Sequence, residues 1–481
     1  MINGTFDNYQ LSGELLKAIS LLNFISPTKV QEQVIPAVLA QKDIIVKSQT
    51  GSGKTAAFAI PICELVDWEQ NKPQALVLTP TRELAVQVRE DMFHIGRFRR
   101  LKVAAIYGKY PFHVQEKELK QKTHVVVGTP GRLIDHIERG TLDTSIIKYL
   151  VIDEADEMLN MGFIEQIKTI VTSLSQERVT ILLSATMPQD INLLCTKIMK
   201  NPVCVEIEEQ NPVAERIAQE RYHVDQADKM QLLRDLTIVE NPDSCMIFCN
   251  IKQAVDEVYA ELVKLNYSCE KLHGGMEQRD RLSVMNDFKQ GIFRYLCATD
   301  VAARGLDIED ISLVINYDIP HDRENYVHRI GRTGRVNKLG KAITFVTRNE
   351  DKFLKDIHDY IGKEILLKER PDEEMVHQSK QEFMAKINTL PEIKETKGAQ
   401  LSTEIMKIHV NAGKKTKMRP VDIVGTLCSI QGITAADIGI INILDVSTFV
   451  EILNNKGELV LQELQNTSIK GRQRKVSKAD R

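Results

Sequence analysis

A glycine-rich loop between an apolar run and a helical pattern constrains this chain more than any other feature. Residues 43–47 have the pattern of a buried strand, and Ser-Gln-Thr-Gly-Ser-Gly-Lys-Thr follows at 48–55. Gly51 and Gly53 allow backbone N–H groups to curl around phosphate oxygens, and the N-terminus of the next helix adds partial positive charge. The order strand, loop, helix therefore predicts a site for a nucleoside triphosphate.

The side chains of this loop suit a triphosphate and its magnesium ion. Lys54 is placed to reach the outer phosphates, and the Thr55 hydroxyl is a Mg²⁺ ligand in such loops. A second motif, Tyr-Leu-Val-Ile-Asp-Glu-Ala-Asp at 149–156, is an apolar run that ends in acids. Asp153 can hold Mg²⁺ and Glu154 can orient or deprotonate water. A plain glycine turn before a lysine is the alternative for the loop alone, and the second motif argues against it.

The length of the chain and the distribution of its charge indicate how its domains are organised. Its 481 residues exceed what one hydrophobic core usually supports, so two or three domains are expected. The net charge is −3, made up of +4 in residues 401–481 and −7 in the rest. The overall charge argues neither for nor against nucleic acid, but it makes the C-terminal part the basic one.

Cysteine usage and hydropathy indicate a reducing, aqueous compartment. The eight cysteines are scattered, without Cys-x-x-Cys pairs or histidines at zinc spacing, and we expect buried thiols. No apolar run reaches the roughly 18 residues that a membrane span needs, and the N-terminus lacks a basic region followed by an apolar core. We expect a cytoplasmic protein with no membrane partner.

Short apolar runs alternate with helical patterns through most of the chain, which is typical of parallel α/β sheets. The rhythm breaks at a polar hinge near 206–214 and then resumes, so two similar domains are expected. The strands predicted before and after the hinge are 75–79, 103–107, 124–128, 148–153 and 179–184, then 218–224, 244–248, 269–272, 295–298, 313–317 and 342–347.

An arginine- and glycine-rich segment stands out in the second half, at 326–335 (Tyr-Val-His-Arg-Ile-Gly-Arg-Thr-Gly-Arg). Glycines between arginines predict an exposed loop whose guanidinium groups can point at a polyanion, and their fork geometry matches phosphate. An arginine supplied across a cleft can stabilise a phosphoryl-transfer transition state. The alternative is a solvated basic turn.

Taken together, these motifs resemble those of the DEAD-box RNA helicases of superfamily 2. The resemblance covers roughly residues 1–360 and depends on motifs that occur in the family's order. They are Pro-Thr-Arg-Glu-Leu at 80–84, Thr-Pro-Gly-Arg at 129–132, Asp-Glu-Ala-Asp at 153–156, Ser-Ala-Thr at 184–186, Ala-Thr-Asp at 298–300 with Ala-Arg-Gly-Leu-Asp at 303–307, and the segment 328–335. The implied fold is two RecA-like parallel-sheet domains in tandem.

The resemblance implies an ATP site with assigned residues. Phe24 would stack on adenine and Gln31 would read its amino edge, although the family's usual Gly-Phe pair is Asn23-Phe24 here. The adenine and phosphate contacts would come from Phe24, Lys29, Gln31, Ser48, Gln49, Thr50, Gly51, Ser52, Gly53, Lys54 and Thr55, with Gly305 and Asp307 from the second domain. The catalytic set would be Lys54, Asp153, Glu154 and the arginine fingers Arg332 and Arg335, with Mg²⁺ on Thr55 and, through water, Asp153.

The resemblance also implies coupling residues and an RNA track. Coupling of ATP state to domain closure would use Asp156, Ser184, Thr186 and His328, and the RNA track would use Arg82, Thr129, Gly131, Arg132, Arg281, Thr299 and Arg304. These side chains suit phosphates and 2′-hydroxyls rather than bases. Gly-Lys-Tyr at 108–110 stands where the family often has paired glycines. The basic run 97–102 nearby has the composition of a solvated face.

The C-terminal residues resemble a third, smaller domain. A polar connector is predicted at 364–403, followed by strand 405–410, a basic turn, helix 420–429, strands 438–443 and 448–453, helix 457–464 and a last strand toward Ile469. This βαββαβ order resembles an RNA-recognition-motif fold, but Phe449 is not part of a Phe-x-Phe pair. RNA binding would then use the basic loops, through Lys414, Lys415, Lys417, Arg419, Lys470, Arg472 and Arg474. A disordered basic tail is the alternative for the last residues.

This combination resembles the bacterial DbpA/YxiN branch of the family. The resemblance implies an ATP- and Mg²⁺-dependent RNA helicase, a monomer that opens short duplexes locally and is targeted by its tail to a hairpin of 23S ribosomal RNA during large-subunit assembly. A DNA-directed superfamily 2 helicase and an ATP-gated RNA clamp without unwinding remain alternatives. The expected domains are residues 1–207, a hinge at 208–215, 216–363, a connector at 364–403, an RRM-like domain at 404–476 and a basic tail at 477–481.

Overall fold

The computed structural model describes residues 5–48, 51–207, 217–303, 311–334, 340–389, 391, 393 and 398–479. Two compact units divide the chain. The first unit contains residues 1–207 and 397–481, and the second contains residues 208–396. The predicted hinge at 208–215 lies outside the described residues.

Residues 5–207, the part predicted to be the first helicase domain and called helicase domain 1 below, form a seven-stranded parallel sheet flanked by helices. Its strands are β1 (Ile44–Lys47), β2 (Ala75–Leu78), β3 (Val103–Ile106), β4 (Val125–Gly128), β5 (Tyr149–Ile152), β6 (Val179–Ser184) and β7 (Val203–Glu206), in the order β3-β4-β2-β5-β6-β1-β7. Its helices are α1 (Gly13–Leu21), α2 (Lys29–Leu39), α3 (Lys54–Leu65), α4 (Arg82–Ile95), α5 (Phe112–Leu119), α6 (Pro130–Glu138), α7 (Ala155–Asn160), α8 (Ile164–Thr172) and α9 (Gln189–Ile198).

Both faces of this sheet are buried, which explains why its strands are continuous apolar runs rather than alternating ones. Val77 packs in the apolar cluster on one face, with Val127 and Val151. Leu76 and Leu78, its neighbours on β2, pack in the cluster on the other face. The carboxyl ends of β1 and β5, where the phosphate loop and Asp153 begin, therefore lie at the same edge of a rigid sheet.

The second unit repeats the architecture. Its strands are β8 (Ile217–His223), β9 (Cys245–Cys249), β10 (Cys269–Leu272), β11 (Tyr295–Thr299), β12 (Leu313–Asn316), β13 (Gly340–Val346) and β14 (Leu366–Leu367), in the order β10-β11-β9-β12-β13-β8-β14. Its helices are α10 (Lys229–Glu240), α11 (Lys252–Lys264), α12 (Gln278–Lys289), α13 (Asp300–Ala303), α14 (Arg323–Ile330), α15 (Asp351–Ile361) and α16 (Glu373–Ile387). The expected α/β fold with two parallel-sheet domains is confirmed.

The polar segment from 364 onward was predicted as a connector, and its first part is instead built into the second unit. β14 pairs with β8, and α16 buries Phe383 against Tyr267, with ring centroids 5.4 Å apart. Arg294 Nη1 donates to the Lys386 carbonyl oxygen at 2.7 Å. Phe383 is buried and Ile387 packs against the same apolar cluster, and these few residues in a largely polar helix give a weak signal in composition.

The C-terminal domain, residues 404–479, is a four-stranded antiparallel sheet covered on one face by two helices. Its elements are β15 (Met406–Val410), α18 (Pro420–Cys428), β16 (Ile438–Ile443), β17 (Thr448–Ile452), α19 (Gly457–Asn466) and β18 (Val476–Lys478), in the strand order β16-β17-β15-β18; a short helix, α17 (Ala399–Thr403), precedes it. The predicted last strand at Ile469 is wrong, because Ile469 forms only an isolated bridge with Arg472. The paired strand begins at Val476 and continues past the predicted domain end.

The thiols are largely as expected. Six of the eight cysteines are buried and none is in a disulfide, but Cys204 on β7 and Cys428 on α18 are exposed. Within the described ranges, no helix is long and apolar enough to cross a membrane.

Candidate ATP site and RNA-binding surfaces

The phosphate loop is held in shape by the start of α2. Thr28 and Gln31 form a capping box, and from there the Thr28 hydroxyl donates to the Ser52 carbonyl oxygen at 2.9 Å and Gln31 Nε2 donates to the Gly53 carbonyl oxygen at 3.2 Å. Gly53 has φ +87°, and a Cβ there would lie 2.6 Å from Gln31 Nε2. The resemblance assigns Gln31 to adenine, and in the structure its side chain also holds the phosphate loop against α2. The positive φ and this close contact make glycine the residue that fits at position 53.

Lys54 and Asp153 bring opposite charges together in a buried setting. Lys54 is 7% exposed and its Nζ donates to the Ser48 carbonyl oxygen at 2.6 Å. Asp153 is 3% exposed, and burial raises its pKa to about 6 while the nearby Lys54 ammonium acts in the opposite direction. Burying two charged groups is costly unless other charges or hydrogen bonds compensate them. A buried carboxylate beside a buried ammonium group is therefore typical of a site that binds a polyanion together with its cation.

Glu154 follows Asp153 in an unusual backbone conformation at the start of α7. Its φ is +54°, in the left-handed region that few non-glycine residues adopt, and its N–H donates to Asp153 Oδ1 at 3.0 Å. Residues held in this region often belong to functional sites. The acid predicted to act on water therefore has a strained backbone and directly follows the acid predicted to bind metal.

Hydrogen bonds join the predicted coupling motif, residues 184–186, directly to the acidic motif. Asp156 Oδ2 accepts hydrogen bonds from the backbone amides of Ala185 and Thr186 at 3.0 and 2.9 Å, and from the Thr186 hydroxyl at 3.2 Å. The Ser184 hydroxyl accepts from the Asp156 amide at 3.2 Å and donates to the Thr186 carbonyl oxygen at 2.6 Å. The Ser48 amide also donates to the Ser184 carbonyl oxygen at 3.0 Å. Phosphate loop, acidic motif and coupling motif are therefore one hydrogen-bonded network.

The residues predicted to contact adenine lie at or near the N-terminus of α2. Phe24 is half-buried, with its ring centroid 6.4 Å from that of Phe6, and Lys29 is exposed as the first residue of α2. Asn23, which replaces the family's glycine, has φ +58°. Asparagine tolerates this left-handed region better than most residues, so the turn survives the replacement.

The predicted RNA residues of helicase domain 1 cluster around the ends of β3 and β4. Arg82 begins α4, and its guanidinium group lies 3.7 Å from where a Cβ on Gly108 would stand. Gly131 is exposed. Lys109, where paired glycines are common, has φ +54° and so adopts a glycine-like conformation.

Arg132 and Thr129, two other predicted RNA residues in this cluster, form hydrogen bonds within the protein. Arg132 Nη1 donates to the Tyr110 carbonyl oxygen and to Gln115 Oε1, both at 2.9 Å. Thr129 is partly exposed, and its amide donates to the Ile106 carbonyl oxygen at 3.0 Å. Arg132 thus braces the loop at 108–110, which stands where the family often has paired glycines.

The exposed loop predicted at 326–335 is wrong for Arg329, which lies on α14 and is buried and extensively hydrogen-bonded. Its side chain is 1% exposed, and Nη2 donates to Asp300 Oδ2 at 2.6 Å and to Asn250 Oδ1 at 2.8 Å. Its Nη1 donates to the Asp318 carbonyl oxygen at 2.6 Å. Arg329 thus ties α14 to the ends of three strands. The sequence did not identify Arg329 as buried, because sequence alone does not distinguish a buried arginine from exposed ones in the same arginine-rich segment.

The other predicted residues of the second unit differ in how exposed their side chains are. His328 is partly exposed, and Arg332 is 7% exposed with Nε donating to the His328 carbonyl oxygen at 3.3 Å. Arg281 on α12 and Thr299 at the end of β11 are 8% and 9% exposed. Predicted residues Gln49, Thr50, Arg304, Gly305, Asp307 and Arg335 lie outside the described residues.

The basic loops of the C-terminal domain are joined through one acid. Lys470 Nζ and Arg419 Nη2 both bond to the Asp422 carboxylate, at 3.0 and 3.4 Å, and the Lys470 hydrogen bond lowers the Asp422 pKa. Lys414 and Lys415 are exposed. Lys417, Arg472 and Arg474 complete the predicted set; the first two are exposed and the third is partly buried.

Comparison with known proteins gives three family matches in chain order. The DEAD/DEAH box helicase family matches residues 28–194, the helicase conserved C-terminal domain matches 228–337 and the DbpA RNA-binding domain matches 407–478. The yeast Dbp5 structure bound to RNA and ADP BeF3 superposes with a TM-score of 0.70, at 32% identity over 79% of this chain and 99% of that one. The chain belongs to the DEAD-box ATP-dependent RNA helicases.

Similar proteins narrow the family assignment to the DbpA type of RNA helicase. The ATP-dependent RNA helicase DbpA of Bacillus subtilis (strain 168) is 56% identical over 476 residues, 99% of both chains. The DEAD-box ATP-dependent RNA helicase CshA of Geobacillus kaustophilus (strain HTA426) is 46% identical over 346 residues, 72% of this chain and 74% of its own. The prediction of an ATP-dependent RNA helicase with a DbpA-type RNA-binding domain is confirmed.

Proposed function

We propose that this helicase remodels 23S ribosomal RNA during large-subunit assembly, opening short duplexes locally after its C-terminal domain has bound a hairpin of that RNA. The observation that carries the proposal is the pair of basic loops on the C-terminal domain, at 414–419 and 470–475. The likeness to DbpA along 99% of both chains supports it. We infer that the protein acts in the cytoplasm as a monomer.

The charges of these loops divide into two groups. Arg419 and Lys470 are partly neutralised by Asp422, so they fix the loops relative to each other. Lys414, Lys415 and Arg472 are exposed. Exposed cations on a shaped surface suit the phosphates of a folded hairpin, because RNA helices are recognised mainly by shape and backbone.

In the ATP site, we propose that Phe24 and Gln31 hold adenine, that the loop at 48–55 and Lys54 hold the phosphates, and that Glu154 acts on water. The residues present also fit Mg²⁺. The Thr55 hydroxyl and the Asp153 carboxylate are hard oxygen donors, and Mg²⁺ commonly takes one or two carboxylates plus substrate phosphates. When bound, the ion would neutralise charge that develops on the phosphates. Asp153, desolvated beside Lys54, has a charge environment that suits this role.

Arginines and hydroxyls of the core would bind RNA without reading its sequence. We propose that Arg82, Thr129 and Thr299 contact the RNA backbone, with Arg281, Arg304 and the remaining residues of the predicted track, and that Arg332 and Arg335 reach the nucleotide when the domains close. The network that joins Asp156, Ser184 and Thr186 would transmit the nucleotide state to this surface. Target choice would then depend on the C-terminal domain.

The test is steady-state ATPase activity at one fixed salt concentration, because phosphate contacts weaken steeply with salt. The activators are large-subunit ribosomal RNA, small-subunit ribosomal RNA, an unrelated RNA and DNA. We expect strong stimulation by large-subunit RNA, and we expect the charge reversal K414E/K415E to raise the large-subunit RNA concentration for half-maximal activity at least tenfold.

The matched control is K352E/K355E, which reverses two exposed lysines on α15. It should leave the preference for large-subunit RNA unchanged. Equal stimulation by every RNA would contradict the ribosomal target, stimulation by DNA would favour a DNA-directed enzyme, and ATPase activity without displacement of a short duplex would favour an RNA clamp.

A further inference from the structure

The C-terminal sheet has one face covered by its helices and one that is open within the domain. Ile408, Val450 and Ile452 point into the helix-covered core. Because side chains alternate along a strand, Phe449 and Glu451 of β17 lie on the opposite, open face. His409 lies there too, with its ring centroid 5.0 Å from that of Phe449. In RNA-recognition motifs this face stacks bases on aromatic rings.

On this open face, a carboxylate occupies the position where a second ring would be needed. Glu451 is two residues after Phe449 on the same strand, so the pair Phe-x-Phe becomes Phe-x-Glu. A buried carboxylate repels phosphate and offers no π-face for a base. The same carboxylate attracts a guanidinium group strongly when both are removed from water.

A segment of helicase domain 1 supplies that guanidinium group. Arg97, just after α4, donates from Nη2 to Glu451 Oε1 at 3.1 Å, and the two side chains are only 12% and 10% exposed. Lys102 Nζ donates to the Ile441 carbonyl oxygen at 2.8 Å and to Asn442 Oδ1. The solvated face expected for the run 97–102 is therefore wrong for these residues.

Apolar groups pack on one side of these polar contacts. Phe98, between the two cations in sequence, is 6% exposed and packs with Leu401 and Leu453 of the C-terminal part and with Ala18. Lys17 Nζ lies 2.6 Å from Glu404 Oε2 at the rim. Burial of its ammonium lowers the Lys102 pKa to about 8, which agrees with water being excluded there.

We propose that the open face of the C-terminal sheet is a protein-binding face and that its partner is the segment 97–102 of helicase domain 1 in the same chain. Charge complementarity, a buried aromatic ring and an acid in place of the second base-stacking ring all select this partner over RNA. The RNA-binding domain is then held against helicase domain 1 in the RNA-free protein, while its basic loops remain exposed.

The first test is a zero-length carbodiimide cross-link between native residues in the full-length protein. We expect an amide between Lys17 and Glu404, detected by mass spectrometry of the monomer fraction. Lys72 and Asp143, 2.7 Å apart inside helicase domain 1, give the internal reference. The reference product without the Lys17–Glu404 product would overturn the proposal.

The second test reverses the buried ion pair. R97E and E451R should each reduce the Lys17–Glu404 product at least tenfold relative to the reference, and R97E/E451R should restore it to within about threefold of the wild type. E463R, a charge reversal at an exposed site on α19, is the matched control and should have no effect. Equal cross-linking in all variants would show that the Arg97–Glu451 contact does not hold the domains together.

Energy transfer between dyes gives a readout that does not depend on Lys17. The exposed cysteines Cys204 and Cys428 lie on helicase domain 1 and on the C-terminal domain, and the other six are buried, so maleimide dyes should label this pair without engineering. We expect one high-transfer population in the wild type and in R97E/E451R. Wild-type transfer equal to that of a freely tethered domain would overturn the proposal even if a single variant failed to fold.

Discussion

Asp156 and Thr186 are joined by two hydrogen bonds to the same oxygen: Asp156 Oδ2 accepts from the Thr186 amide at 2.9 Å and from its hydroxyl at 3.2 Å. The third bond to this oxygen comes from Ala185. One carboxylate therefore fixes the backbone of the predicted coupling motif.

We expect Asp156→Ala to lower RNA-stimulated kcat at least tenfold while the KM for ATP changes less than about threefold, because the coupling motif would lose its anchor. The unsatisfied donors should also cost about 2–4 kcal/mol of stability. Asp156→Asn retains an acceptor and should lose less than half of that stability. Steady-state kinetics and thermal unfolding measure both effects, and normal kcat in the alanine variant would contradict the coupling role.

Gly53→Ala should damage ATP binding specifically. The backbone at Gly53 is left-handed and an added Cβ would lie 2.6 Å from Gln31 Nε2, so the Gln31 side chain must shift and its hydrogen bond to the loop is disturbed. We expect the KM for ATP to rise at least tenfold. Gly140→Ala is the matched control, since Gly140 also has positive φ, at +65°, but nothing lies within 4 Å of its added Cβ. That variant should lose about 1–2 kcal/mol of stability and keep its KM.

Arg329→Ala should destabilise the second unit by about 3–5 kcal/mol, because Asp300 would lose its partner in a poorly hydrated setting. Arg329→Lys should recover only part of this, since an ammonium group cannot reproduce the planar fork. Urea unfolding of the second unit, followed by hydrogen exchange of β9 and β11, measures the loss. Arg279→Ala, at an exposed site on α12, should change stability by less than about 0.5 kcal/mol, and an equal effect of both would contradict this assignment.

His124 should make helicase domain 1 sensitive to acid. Its Nδ1 accepts from the Lys102 amide at 2.8 Å and its Nε2 donates to the Trp68 carbonyl oxygen at 2.9 Å, so the neutral ring satisfies both partners. Burial lowers its pKa from 6.5 to about 4. Below pH 6.5 the unfolded chain takes up a proton that the folded protein refuses until pH 4, so stability falls through this window, by up to roughly 3 kcal/mol.

The fluorescence of Trp68, the one tryptophan in the sequence, reports this unfolding directly. His124→Gln should flatten the pH dependence of the urea midpoint between pH 6.5 and 4 by about one proton. His113→Gln, at an exposed position on α5, should leave the slope as it is in the wild type. An unchanged slope in His124→Gln would show that the ring already titrates normally.

The strands of both parallel sheets were predictable because a strand buried on both faces is a short, continuous apolar run. The prediction at 179–184 coincides with β6, whose six residues are all buried. β7 and β14 were missed, because one residue of β7 and none of β14 is buried, so these two edge strands carry a weak apolar signal. The phosphate loop and the acidic motif were predictable for a different reason, namely that binding phosphate demands particular residues at fixed spacing.

What the sequence by itself determined is thus the family, the two sheets and the residue types of the ATP site, since each depends on a local pattern. Only the tertiary structure decided which charges are buried. Arg329 and the exposed Arg279 are alike in sequence, and Arg97 looks like part of a solvated run until Glu451 is found opposite it. Burial and pairing depend on residues far apart in the chain, so no local pattern contains them.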